Sequence, residues 1–558
     1  MGAKTDKAKK IRAAKVSGAA RLRRTWAKQI AGGLTGVVLL GSVAVFASGY
    51  GSPAWTSAVR PITVPEAQIP PGTYQGVCPG PLTLADDISE GTDPEFSPVS
   101  ETAKTAVSAT VLSDLTGIPP ASSITALGSS KPLKKISGTE PSTETGTESP
   151  PPASNEDGLT QLKAAVERGV ETSTATVVTA QPQSGQESTA KGVMGYTASD
   201  GDLRGLAVSN CRPASNDFWL VGAGTTVGVS SILTLRNPQE SPATVNLELH
   251  GADGPLQAAG SRGLLIGPGE SRSVNLAGLA ANQQRLAVHV QSTGGAVAGS
   301  IQHSVLRGLN PGGVERIQAA APSSTTQVVT GIRVQDPKVT QKISSKKSYA
   351  SVKPELQVVV PGATDAVLDI RVSSDRGPVE LPGGGVVTAP AGATTHIPLD
   401  SLPEGVFTAE VSSDVSIVAT ARVTNGTKTE EPVDTAWVSS SARLGSQHLL
   451  VFPAGVDATP TLAFGAPDGR AEIRLTGITS DGKLLGEKVI GIAGETTVTV
   501  SRQDIAGDED IAAVMISASG DPVYGSQILR SVSGPGLSIV PVPETSAGRQ
   551  SVKVTLGY

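Results

Sequence analysis

The sequence predicts a mainly β protein: an N-terminal transmembrane helix or signal anchor followed by tandem Greek-key or immunoglobulin-like β-sandwiches. Three observations carry this. Glycine and proline are abundant, 64 and 40 in 558 residues, and both interrupt helices. One phrase of alternating apolar and polar residues ending in a glycine turn recurs three times. A single long apolar run stands near the start, behind a cluster of positive charge.

The head comes first. Residues 1–29 carry ten Lys and Arg against one acid, Asp6, which leaves the rest of the chain at −14. No charge occurs between Gln29 and Val59, and residues 30–50 read IAGGLTGVVLLGSVAVFASGY. At about 1.5 Å per residue this run spans the roughly 30 Å of a hydrocarbon core. Positive charge before it predicts an N-terminus inside and the bulk of the chain outside the cell membrane. The competing reading is secretion, with Val45-Phe46-Ala47 as a small-residue cleavage site. LRRTWAK, from Leu22, resembles a twin-arginine export signal.

Residues 51–85 read as a first extracytoplasmic strand region holding Cys78, in VCPGP. The second cysteine, Cys211, lies in SNCRP. Two cysteines in an oxidising compartment, with no Cys-x-x-Cys spacing, predict a Cys78–Cys211 disulfide. Residues 86–190 read as an acidic, Ser/Thr/Pro-rich and largely disordered insertion, because a stretch such as SGTEPSTETGTESPPPASNEDG buries too little to offset its ordering entropy. Within it, Leu159, Leu162, Val166 and Val170 fall at helical spacing and predict one short amphipathic helix over 158–170.

The repeats follow. ATVNLELHGADG (243–254) recurs as AVLDIRVSSDRG (366–377) and RAEIRLTGITSDG (470–482). Leu247, Gly269 and Val290 of the first copy correspond to Ile370, Gly392 and Val411 of the second, and to Ile473, Gly494 and Ile516 of the third. Three markers in one order at nearly constant spacing define a unit of roughly 100 residues, the size of a sandwich. The boundaries expected are 191–330 for the first sandwich, 356–440 for the second and 441–558 for the third. Residues 331–355, with five lysines, read as a solvated basic linker.

Site chemistry is sparse. The five histidines form no His-Glu-x-x-His pair, and no Gly-x-Ser-x-Gly elbow occurs. GAGTTVG (222–228) is spaced unlike a dinucleotide fingerprint and leads into a strand, so its glycines read as turn residues. Gly507-Asp508-Glu509-Asp510 lacks calcium-loop spacing. His289 reads as a surface residue and Trp219 as core. Trp437, in DTAWVSS, is the one candidate ligand contact, as a sugar-stacking platform. The acidic body disfavours nucleic acid. No catalytic, metal or cofactor-binding residue is assigned, and the expectation is a non-enzymatic protein.

VCPGP and NCRPASNDFWLVGAGTTVGVSSILTLRNP (210–238), behind the basic head and apolar run, resemble an uncharacterised family of exported, membrane-anchored actinobacterial proteins. The resemblance carries over no catalytic residues. It implies a scaffold or accessory role in the cell envelope, with envelope proteins or the glycan-assembly machinery as partners. A secreted or tethered glycan-binding protein is the alternative, and an enzyme whose site is not visible in sequence is the third reading.

Overall fold

The computed structural model describes residues 71–84, 100–138 and 162–545, together with the backbone of Glu66–Ile69 and Val552–Thr555. The basic head and the apolar run 30–50 lie outside the described residues. Among the described residues no helix is long and apolar enough to cross a membrane.

The chain is mainly β, with antiparallel sheets throughout. The three repeats are three two-sheet units, and a fourth unit of the same strand order precedes them. In this first lobe the eight strands are Tyr74–Cys78, Lys104–Leu112, Ser122–Ala126, Pro132–Ser137, Ala164–Glu171, Thr176–Ala180, Ala190–Ala198 and Gly205–Asn210. One sheet orders them first–sixth–third–fourth and the other fifth–second–seventh–eighth. Lobe four, from His448–Val451 to Leu537–Pro541, repeats this order strand for strand. Lobe two, from Asp217–Ala223 to Asn310–Ile317, splits its fourth strand into Gly254–Leu256 and Leu264–Ile266. Lobe three, from Ser324–Val334 to Asp434–Ser439, fuses its sixth and seventh strands into Gly405–Asn425, which bends across both sheets. Sandwich-like packing is therefore present, but the first strand pairs the sixth, which is not the ABED-on-CFG pairing of immunoglobulin domains.

Three expectations give way. Five strands lie within 86–190, so the described parts of that stretch are folded, while the Ser/Thr/Pro-rich run 139–161 lies outside the described residues. The strands' apolar runs, such as Val107, Ala109 and Val111, bury into the first lobe's core beside Tyr74, Met194 and Tyr196. Of the helix expected over 158–170, residues 158–161 lie outside the described residues, and Ala164–Glu171 form an edge strand pairing with Lys104–Leu112. Val166 and Val170 are four apart, a spacing that suits one face of a strand as well as one face of a helix. The basic stretch 331–355 is no loose linker either. It finishes the strand Ser324–Val334, then forms the helix Pro337–Ser344 and the 3-10 turn Lys347–Val352, burying Ile343, Tyr349 and Val352 against Val433 while its lysines stay exposed.

The lobes do not trail in series; they close a ring. Val77 and Val177 of lobe one meet Ala298 of lobe two. Trp219, Val221 and Ala287 of lobe two meet Val359 and Val418 of lobe three. Ile528, Leu537 and Ile539 of lobe four complete the core of lobe three. Leu449, Val451 and Val540 of lobe four return to Leu206 and Val208 of lobe one. Each lobe's last strand is a sheet edge, and all four edges face the common axis. An edge left bare there would strand buried backbone groups.

Candidate functional site

Side chains satisfy those edges. Asp434 opens the last strand of lobe three and is buried. Its Oδ2 accepts the backbone N–H of Leu206 (2.9 Å) from lobe one and of Leu537 (2.9 Å) from lobe four. Its Oδ1 accepts those of Val314 (3.0 Å) from lobe two and Thr435 (3.0 Å) from its own strand. One carboxylate thus binds all four lobes. Glycine makes room for it: Gly313 has φ +106°, and a Cβ there would stand 2.4 Å from Thr435 N and 2.6 Å from Asp434 Oδ1. Burial pushes the Asp434 carboxyl up to about 7, against the pull of the four N–H donors.

One step along the axis, Ser538 of lobe four donates to Glu315 of lobe two (3.0 Å) and accepts the N–H of Val208 of lobe one (2.9 Å). Burial raises the Glu315 carboxyl well above its ordinary range. Arg316 donates to the carbonyls of Gly80 (2.9 Å) and Pro81 (2.8 Å), and burial lowers its guanidinium to about 9. Near the far end, Asn210 N–H donates to Gln318 Oε1 (3.0 Å), Asn210 Nδ2 to the Pro541 carbonyl (2.8 Å), and Ser439 Oγ to the Gln318 carbonyl (2.9 Å).

Where the four strands end, the segments leaving them enclose a cleft of about 350 Å³. Its wall takes Arg212 from lobe one, Phe218 from lobe two, Ser441 from the link after lobe three and Glu544 from the segment after lobe four. The Cys78–Cys211 disulfide, expected from sequence, fixes the wall beside Arg212. Arg212 also exchanges backbone hydrogen bonds with Val77 (2.8 and 3.1 Å). Its Nη1 donates to the Ala319 carbonyl, and its Nη2 stands 3.9 Å from a Glu544 oxygen. Burial lowers the guanidinium's pKa, and the Glu544 charge opposes that. His448 holds the segment carrying Glu544: its Nε2 accepts the Gly445 N–H (2.8 Å), which leaves Nδ1 to donate to the Pro543 carbonyl (2.9 Å).

The residues flagged by sequence fall elsewhere. Trp437 is only 3% exposed, with Arg422 over its ring at 5.5 Å and His303 edge-on at 5.7 Å. Gly222 packs against that ring as well, so no face of Trp437 is open to a ligand. Trp219 is core as expected, stacked on His289 at 4.2 Å. His289 is not a free surface residue: Asp217 (3.0 Å) and Glu248 (3.2 Å) flank its two ring nitrogens. Asp510 of the acidic loop is taken by Arg168 and Arg502, and Arg168 draws its carboxyl down to about 2. Among the described residues no group of His, Cys, Asp and Glu is arranged to hold a metal ion.

With this geometry in place, comparison with known proteins gives one match. The chain fits the profile of a family of unknown function, DUF5719, over residues 166–503, more than half its length. It belongs to that family. No curated protein and no solved structure matches it. The DUF5719 match spans the end of lobe one, lobes two and three, and most of lobe four. It therefore includes Arg212 and Asp434 but stops short of Glu544. Sequence reading missed Arg212, Asp434 and Glu544. Only Arg212 had a signal, its place next to Cys211, because an Asp on an edge strand looks like any solvated carboxylate until three other lobes close on it.

Proposed function

We propose that this chain is a non-catalytic scaffold or accessory factor of the cell envelope, tethered to the membrane through residues 30–50 and displaying the four-lobed ring outside. One observation carries the reading: the buried titratable groups are spent on the frame. Asp434, Glu315 and Arg316 join lobes to one another. His250 Nδ1 meets the Gly392 carbonyl across lobes two and three (2.8 Å), and the buried Glu355 is paired by His396 at the surface (2.7 Å). Groups committed in this way serve rigidity rather than proton transfer. A rigid ring on a tether offers loops and clefts for protein contacts, with envelope-assembly proteins, including the glycan-assembly machinery, as the partners proposed.

The test is a crosslinking pull-down of the tagged full-length protein from its native membrane, with the mass of its mature N-terminus measured in the same sample. An intact N-terminus together with a recurring membrane partner supports the role. A mature chain starting near Ser48 and recovered alone from the medium removes it.

A further inference from the structure

We infer that the axial cleft binds a ligand through a carboxylate seated on Arg212, and that Glu544 keeps that position in the ligand's absence. Arg212 is built as an anion anchor. Its backbone is pinned by Val77 and by the neighbouring disulfide, and one arm of its guanidinium is fixed on the Ala319 carbonyl. The other arm faces Glu544 at 3.9 Å, beyond hydrogen-bond reach, although a charge-assisted bond closes to about 2.7–2.9 Å. Glu544 is 56% exposed at its side chain and lies on the chain leaving lobe four, so it can leave without disturbing a sheet. The Arg212 side chain is 32% exposed, so an anion entering the cleft can reach it, and partial burial disfavours leaving its charge without a close partner.

The rest of the wall sets the ligand class. Phe218 is half-buried over Gly299 and, with Pro213 and Ala214, gives an apolar side. Ser441 Oγ lies buried in the same lining with no hydrogen-bond partner among the described residues. Glu187, Lys191 and Asp217 also line the cleft; Asp217 is held by His289 and by Gln291 (3.0 Å), and Glu187 and Lys191 are engaged as well. The built-in occupant opposite Arg212, Glu544, is itself a carboxylate. A small carboxylate with an apolar tail, such as the C-terminus of a short apolar peptide, fits these features. The inference concerns this cleft alone and is independent of where the chain is tethered.

The test is calorimetric titration of the full-length protein with acetyl-Ala-Ala, its carboxamide and inorganic phosphate. The free carboxylate is expected to bind about tenfold tighter than the carboxamide. Glu544→Gln, at an exposed side chain, is expected to bind it several-fold tighter than wild type, and Arg212→Gln about tenfold weaker, with unchanged melting checked for each. Glu544→Gln binding no tighter, equal affinity for the carboxamide, or stronger binding of phosphate would each overturn the inference. Arg212 changes that unfold lobe one leave the Glu544→Gln comparison to decide.

Discussion

At the scale of single residues, Asp434 does the most for the fold. Replacing it with Ala leaves four buried N–H groups without an acceptor, and a buried unsatisfied donor costs about 1–3 kcal/mol. Asp434→Ala should therefore lower unfolding stability by at least about 3 kcal/mol in chemical denaturation. Its titration gives a second readout. The folded carboxyl holds its proton up to about pH 7, whereas an unfolded Asp releases it near 3.9. Its contribution is therefore fully present in acid and lost as pH rises through 7. Asp434→Asn should lack that slope between pH 5 and 8. His303 works in the opposite direction. Burial holds its imidazole down to about 3, so below pH 6.5 the unfolded chain takes up a proton that the folded chain refuses. The stability gap between wild type and His303→Gln should therefore narrow as pH falls from 7 to 5. A gap constant with pH would contradict the assignment.

At the scale of elements, the disulfide and the axial strands can be tested separately. Cys78 and Cys211 are 133 residues apart, so the Cys78→Ser/Cys211→Ser chain should lose about 4–5 kcal/mol in the chain-entropy account. A loss below about 1 kcal/mol, measured by denaturant melts with and without reductant, would show that lobe one is already held by its core. Gly313→Ala should be more damaging than its size suggests, because the added Cβ enters the space of Asp434 and Thr435. How much was legible at this scale follows from periodicity. The alternation in ATVNLELHG gave the strand Ala243–Gly251 and its two later copies directly. Residues 164–171 misled because valines four apart satisfy both periods, and only pairing with Lys104–Leu112 resolves them.

At the scale of the whole molecule, ring closure predicts cooperativity. Tandem sandwiches in series would melt lobe by lobe, whereas lobes that complete each other's cores and share one carboxylate should unfold in a single calorimetric transition. Asp434→Ala should broaden or split that transition. Trypsin should likewise fail to release free lobes by cutting at 331–355, since Ile343, Tyr349 and Val352 remain packed after a surface cut.

What the sequence determined by itself was what is written locally or pairs by compartment: the β class, three of the four copies, the turn glycines and the cysteine pair. Those properties are local, and an alternating strand or a glycine turn is written within ten residues. The fourth copy was hidden because its strands alternate in sequence with acidic, Ser/Thr/Pro-rich stretches that dominate the composition of 86–190. Only the tertiary structure decided that the copies close on an axis, that Asp434 serves four of them, and that Arg212 and Glu544, more than 300 residues apart, face each other across a cleft. The physical reason is burial. A carboxylate or guanidinium acquires its role from the donors and acceptors left around it once water is excluded, and distant stretches of chain supply them.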